Sequence, residues 1–177
     1  RLPQPCLALI TDRTLCPDGS LVARVAEAVA NGVGMVQVRE KDLPAGELYT
    51  LTMDLKEVIA GRALLIVNDR VDIVMAAGVD GVQLPETALP TSVARRILRV
   101  GMGIGRSVHS VQGAVSAVHE GAEFLVVGTI FASRSHPNEH PAGPALIADV
   151  KRQVRTAPVL AIGGVTPQNV AQCMEAG

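Results

Sequence analysis

Along the 177-residue chain, helix-like apolar segments repeatedly reach a glycine just before a hydrophobic run begins. Gly32 leads into MVQVREK, Gly78 into GVQLPE and Gly121 into FLVVGTIF, and Gly177 closes the sequence. A glycine just past a helix adopts the left-handed conformation that ends it, so this cadence marks helix-to-strand units in series. The pattern predicts strands at 6–12, 35–41, 63–69, 81–85, 102–108, 124–131 and 157–164. Helices are expected at about 20–31, 45–60, 71–77, 91–99, 110–120 and 144–155, and from 166 onward. Ser110 and Thr166 stand where N-caps belong, with Pro167 fitting a first helical position. Strands alternating with helices imply right-handed βαβ crossovers and a parallel sheet. The predicted fold is α/β, a TIM (βα)8 barrel with its eighth βα unit missing from the chain, folded as a single domain over 1–177. That missing unit leads us to expect a C-terminus that is truncated. A doubly wound open sheet is the alternative, but no Gly-x-Gly-x-x-Gly follows the first strand.

Composition narrows the function. The chain is 48% hydrophobic but 2% aromatic, so the core must be built from Val, Leu, Ile and Ala, which suit buried parallel strands. A net charge of −1 without a basic block argues against a nucleic-acid surface and leaves small anionic substrates open. No run is long and apolar enough for a membrane span, and the first residues lack the regions of a signal peptide. Cys6, Cys16 and Cys173 fit neither a disulfide framework nor a metal motif, and read as reduced thiols of a cytoplasmic protein.

Polar residues close the predicted strands, at the end where α/β barrels carry their chemistry. In QVREK, strand alternation puts Gln37, Arg39 and Lys41 on one face and turns Val38 and Glu40 away. Two cations and an amide together suit a phosphate or diphosphate; an internal ion pair of Arg39 with Asp69 or Glu86 is the competing reading. Asn68 and Asp69 end the third strand. Asp69 is a candidate magnesium ligand, a structural ion pair being the alternative, and Asp72 reads as a first-turn helix residue. IGRSVHS puts Ser107 and His109 at the end of the fifth strand without the partners of a nucleophilic triad. Gly163 and Gly164, ahead of a helix, offer backbone N–H groups to a phosphate. The loop 132–143 reads as a lid presenting Ser133, Arg134, Ser135 and His136.

Together LALITDR, QVREK, VNDRVDI, GVQLP, IGRSVHS, VVGTIF and AIGGVTPQNV resemble the thiamine-phosphate synthase superfamily, which includes the TenI thiazole tautomerases. The resemblance implies a barrel, often homodimeric, that takes small phosphorylated substrates. Synthases of this kind couple hydroxymethylpyrimidine diphosphate to thiazole phosphate with magnesium, releasing pyrophosphate. By this likeness Gln37, Arg39, Lys41, Asn68 and Asp69 match diphosphate and metal positions, Ser107 a substrate-contacting serine, and Gly163 and Gly164 the thiazole-phosphate loop. Ala88 stands where a synthase has its second metal-binding aspartate, leaving Glu86 as a substitute carboxylate. Ser133, Arg134, Ser135 and His136 stand where the lid has Thr-x-Thr-Lys. A tautomerase is the alternative, but its histidine position holds Thr129, which is no base near neutral pH. A non-catalytic phosphate-ligand binder is the third reading.

Overall fold

The computed structural model describes residues 2–133 and 140–177. Its strands are β1 (Ala8–Ile10), β2 (Met35–Val38), β3 (Leu64–Asn68), β4 (Gly81–Leu84), β5 (Gly103–Val108), β6 (Phe124–Val127) and β7 (Val159–Ala161). The helices between and after them are α1 (Leu21–Ala30), α2 (Ala45–Ile59), α3 (Val71–Ala77), α4 (Thr91–Ile97), α5 (Val111–His119), α6 (Pro144–Gln153) and α7 (Val170–Ala176). A short 3-10 turn, Arg13–Leu15, follows β1. The seven strands lie in one sheet in sequence order. The pairings β1–β2, β2–β3, β3–β4, β5–β6 and β6–β7 are parallel. Strands joined in sequence order through helices are the topology of a (βα)8 barrel.

The chain divides into two compact units: residues 1–83 with 94–103, and residues 84–93 with 104–177. In the first, β2 is buried along its whole length, as its unbroken apolar run requires. Two helices cover this sheet with stripes at helical spacing, Leu21, Val25 and Val29 on α1, and Leu48, Thr52, Leu55 and Ile59 on α2. Thr52 is tolerated there because its hydroxyl donates to the Leu48 carbonyl at 2.7 Å. Lys56 of α2 donates to the carbonyls of Ala77 and Gly78 at 2.8 and 3.1 Å, satisfying acceptors that α3 leaves free at its end. In the second unit, Val108, Leu125, Val127, Ile130, Ile147, Val150 and Cys173 form one buried cluster. Burying one such Leu or Ile side chain contributes roughly 1.5–3 kcal/mol.

The glycine cadence holds: Gly32, Gly78, Gly121 and Gly177 have φ of 101, 59, 100 and 117°. The predicted helices are all present, and Ser110 caps α5 by accepting from the Gly113 N–H at 3.0 Å. Thr166 does not cap α7. The helix begins at Val170, and Asn169 bridges the preceding bend, accepting from the Thr166 N–H at 2.7 Å and donating to the Gly164 carbonyl at 2.9 Å. Several strands also end earlier than their apolar runs suggest, β2 at Val38, β6 at Val127 and β7 at Ala161.

Candidate active site

In the first unit, the C-terminal ends of β2 and β3 bring three predicted residues, Gln37, Asn68 and Asp69, into one neighbourhood. Gln37 is buried in β2, and its side-chain N–H donates to the Asn68 side-chain oxygen at 3.2 Å. The parallel register pairs Gln37 with Ile66, so Asn68 lies one pleat further toward the strand end. Asp69 follows with φ of 63°, its N–H donating to the Gln83 carbonyl at 2.9 Å. Its side chain is thus presented from a left-handed turn at the strand end, where it is exposed.

Arg39 and Lys41 lie beyond the end of β2, so regular alternation does not set their directions; turn and side-chain contacts do. Arg39 is half-buried and Lys41 exposed, while Glu40 between them is buried. The Arg39 N–H donates to the Thr11 hydroxyl at 2.9 Å, and Thr11 in turn donates its N–H to the Gln37 carbonyl at 3.0 Å. Among the described residues neither cation forms an ion pair. The expected alternative partners are otherwise placed, Asp69 in its turn and Glu86 beside His109.

Sequence reasoning missed Arg13. Its backbone N–H lies 3.1 and 3.2 Å from the two Glu40 carboxylate oxygens, and its guanidinium donates to Glu40 at 3.2 Å and to Asp42 at 2.6 and 2.5 Å. This forked pair holds the Asp42 carboxyl down to about 2. The TDR of LALITDR was the available signal, but nothing in its spacing says which carboxylates it meets.

In the second unit, Ser107 is half-buried in β5. His109 Nδ1 lies 2.8 Å from Glu86 Oε2. Arg106 donates to the Leu89 and Glu86 carbonyls at 2.6 and 2.8 Å, so it pins the β4–α4 loop. A cavity of about 160 Å³ is lined by Glu86, Arg106, Ser107, Gly113, Ser116 and Glu120, among others. Ala88 sits half-buried in that loop and brings no donor to a metal.

Gly163 and Gly164 follow β7 with φ of 95 and 62°. A Cβ on Gly163 would stand 2.6 Å from the Thr129 methyl, and one on Gly164 2.3 Å from the Ala132 carbonyl oxygen. The segment after β6 runs this close because Ile130 and Phe131 donate to the Ile162 and Gly163 carbonyls, both at 2.9 Å. Ser133 is half-buried at the start of the predicted lid, whereas Arg134, Ser135 and His136 lie outside the described residues. Thr129 is buried, and the carbonyls of Thr129 and Ile130 accept from Ala142 and Gly143 at 2.8 and 3.0 Å.

For a divalent cation the described donors are few. No three His, Cys, Asp or Glu side chains cluster among the described residues. One exposed carboxylate, Asp69, fits magnesium in its common mode, in which one or two protein carboxylates are completed by substrate phosphate oxygens and water.

The sequence matches the protein family described as thiamine monophosphate synthase over residues 7–177. A thiamine-phosphate synthase from Anaeromyxobacter dehalogenans is 41% identical over 157 residues, covering 88% of this chain and 70% of that protein. One from Methanoculleus marisnigri is 38% identical over 173 residues, covering 97% and 82%. Among solved structures, the thiamine phosphate pyrophosphorylase from Pyrococcus furiosus superposes with a TM-score of 0.87 at 34% identity, covering 97% of this chain and 81% of that one.

Proposed function

The chain belongs to the thiamine monophosphate synthase family, and on that premise we propose that it couples hydroxymethylpyrimidine diphosphate to thiazole phosphate, forming thiamine phosphate and releasing pyrophosphate. The observation that carries this reading is a pair of cations, Arg39 and Lys41, that form no ion pair among the described residues and follow the strand whose Gln37 amide is hydrogen-bonded to Asn68. Arg39, half-buried without an internal ion pair, favours an anion beside it, and Lys41 is free in solvent to join it.

The reaction needs a diphosphate to leave from a carbon before the thiazole nitrogen attacks, so negative charge grows on the departing group. Arg39 and Lys41 meet that charge, and the donor groups of Gln37 and Asn68 orient the phosphate oxygens. Asp69 would hold a magnesium ion, which when bound would neutralise part of the leaving diphosphate. Ser107 contacts the substrate from β5, and the Gly163–Gly164 bend offers N–H groups to the thiazole phosphate. Ser133, half-buried after β6, would contribute a hydroxyl to the bound substrates. A thiazole tautomerase would need a base where this chain carries the buried Thr129. We further propose a cytoplasmic homodimer, supported by the family likeness and by thiols that stay free at Cys6, Cys16 and Cys173.

The test supplies both substrates and magnesium and measures thiamine phosphate. Product should form, vanish with a chelator, and fall by about 100-fold or more in Arg39→Ala, the scale for losing one donor to developing charge. Product formation unchanged in Arg39→Ala would sink the assignment of the diphosphate to this strand end, and chelator-insensitive turnover would remove the metal from Asp69.

A further inference from the structure

Arg39 and Lys41 alternate in sequence with two acids, Glu40 and Asp42. A carboxylate adjacent in sequence competes with any incoming anion for these cations. The Glu40 side chain is 3% exposed, so its charge is costly without a partner. Arg13 engages both acids at once: its guanidinium reaches Glu40 and forks onto Asp42, and its backbone N–H adds a contact to Glu40. The link joins the end of β1 to both flanks of Lys41, alongside the Thr11 hydroxyl that holds the Arg39 N–H.

We propose that Arg13 is a positioning residue: by occupying the Glu40 and Asp42 carboxylates it keeps Arg39 and Lys41 open to the substrate's diphosphate. The inference rests on the assignment of the diphosphate to Arg39 and Lys41. Arg13 does not touch substrate; it removes the internal anions that would otherwise capture the two cations. A lysine cannot do the same, because a single ammonium lacks the rigid fork that spans two carboxylates.

The probe is inorganic pyrophosphate, with its dissociation constant measured by calorimetry in magnesium buffer and folding followed by thermal melts. Arg13→Met should weaken pyrophosphate binding by about tenfold, the scale of a strong charge rearrangement, and Arg13→Lys by about threefold. Asp42 is mostly exposed, so making it neutral has little effect on folding. The double variant Arg13→Met with Asp42→Asn should therefore bind pyrophosphate several-fold more tightly than Arg13→Met alone, a recovery that a purely structural role for Arg13 does not produce. In turnover, the KM for the pyrimidine diphosphate should rise while that for thiazole phosphate stays unchanged.

Unchanged pyrophosphate affinity in Arg13→Met, or no recovery in the double variant, overturns the proposal. Should Arg13→Met not fold, Arg13→Lys decides alone: parental affinity overturns it and weakened affinity with an unaltered melt supports it. Arg39→Ala separates the two readings. If the parent binds no pyrophosphate, or Arg39→Ala binds it as tightly as the parent, the diphosphate assignment itself fails and this inference falls with it. If Arg39→Ala loses binding and the Arg13 variants do not, only the role of Arg13 is refuted.

Discussion

Asp69 carries a backbone constraint and a proposed metal-binding task at one position. Its φ of 63° lies where a Cβ is disfavoured, and aspartate tolerates that region better than most residues because its short polar side chain bonds locally. The two roles separate under substitution. Asp69→Gly removes the carboxylate and suits the backbone, so the melting temperature should stay close to the parent's while magnesium-dependent product is lost. Asp69→Ala should lose product and also about 1 kcal/mol of stability, the usual penalty for a Cβ at positive φ. Melts paired with product assays check both, and stable Asp69→Gly that still makes product would remove the metal role. The strained φ was not legible in VNDR, because an aspartate after a strand reads equally well as an extended residue. Gln37 and Asn68, which the structure brings within hydrogen-bond distance, were legible because polar side chains there interrupt or end apolar strands, whereas Arg39 and Lys41 were read from an alternation that stops at Val38. Arg13, Glu40 and Thr11 were not legible, since their pairing bridges about 27 residues of chain and depends on where β1 and β2 stop.

Helices and strands differ in how much of each the sequence discloses. Helix positions follow from amphipathic spacing and glycine stops, so α1, α2, α3 and α5 lie within a residue or two of their expected limits. Strand ends do not, because apolar residues continue past the sheet. After β6, Ile130 and Phe131 remain apolar and hydrogen-bond to Ile162 and Gly163, yet the regular strand has ended at Val127. Glycine stops also have an exception that gives an element-scale prediction. Helix α2 ends on Ala60, whose φ of 49° and ψ of 41° are left-handed, with its N–H bonded to the Lys56 carbonyl at 3.0 Å. Glycine is the preferred residue in that cap. Ala60→Gly should stabilise the protein by about 0.5–1 kcal/mol, the strain relieved being partly offset by a looser unfolded chain. For a chain of this size that is a rise of roughly 1–4 °C in melting temperature. A lowered melting temperature would mean that the Ala60 methyl contributes packing that outweighs its backbone strain.

At the scale of the molecule, strand order was the most legible property, because βα units in series leave each strand beside its predecessor and the observed order runs from β1 to β7 in sequence. The division into two compact units was not legible, since its boundaries fall inside β4, α4 and β5, where composition does not change. Charge and burial together set the pH range over which this fold is stable. Asp42, Asp18 and Asp72 are held below the ordinary carboxyl value, chiefly by hydrogen bonds from Arg13, Ser20 and Arg70 respectively. A depressed folded value stabilises above the unfolded value and is lost as pH falls through the folded one, so the Asp42 contribution is complete above about pH 5 and disappears toward pH 2. Burial pushes the Cys6 and Cys173 thiols up, and a raised value has the opposite sign, stabilising below the unfolded thiol value and fading as pH climbs beyond it. The melting temperature should therefore be insensitive to these groups between about pH 5 and 8 and fall on both sides. Asp42→Asn isolates the acid limb. Its melting temperature should lie slightly below the parent's at pH 7, and the gap should close between pH 4 and 2 as the parental carboxyl protonates. Because Asp42 is mostly exposed, 1 M salt should also shrink the gap at pH 7. A gap that stays constant across the acid range would show that the Arg13–Asp42 pair does not contribute through its charge.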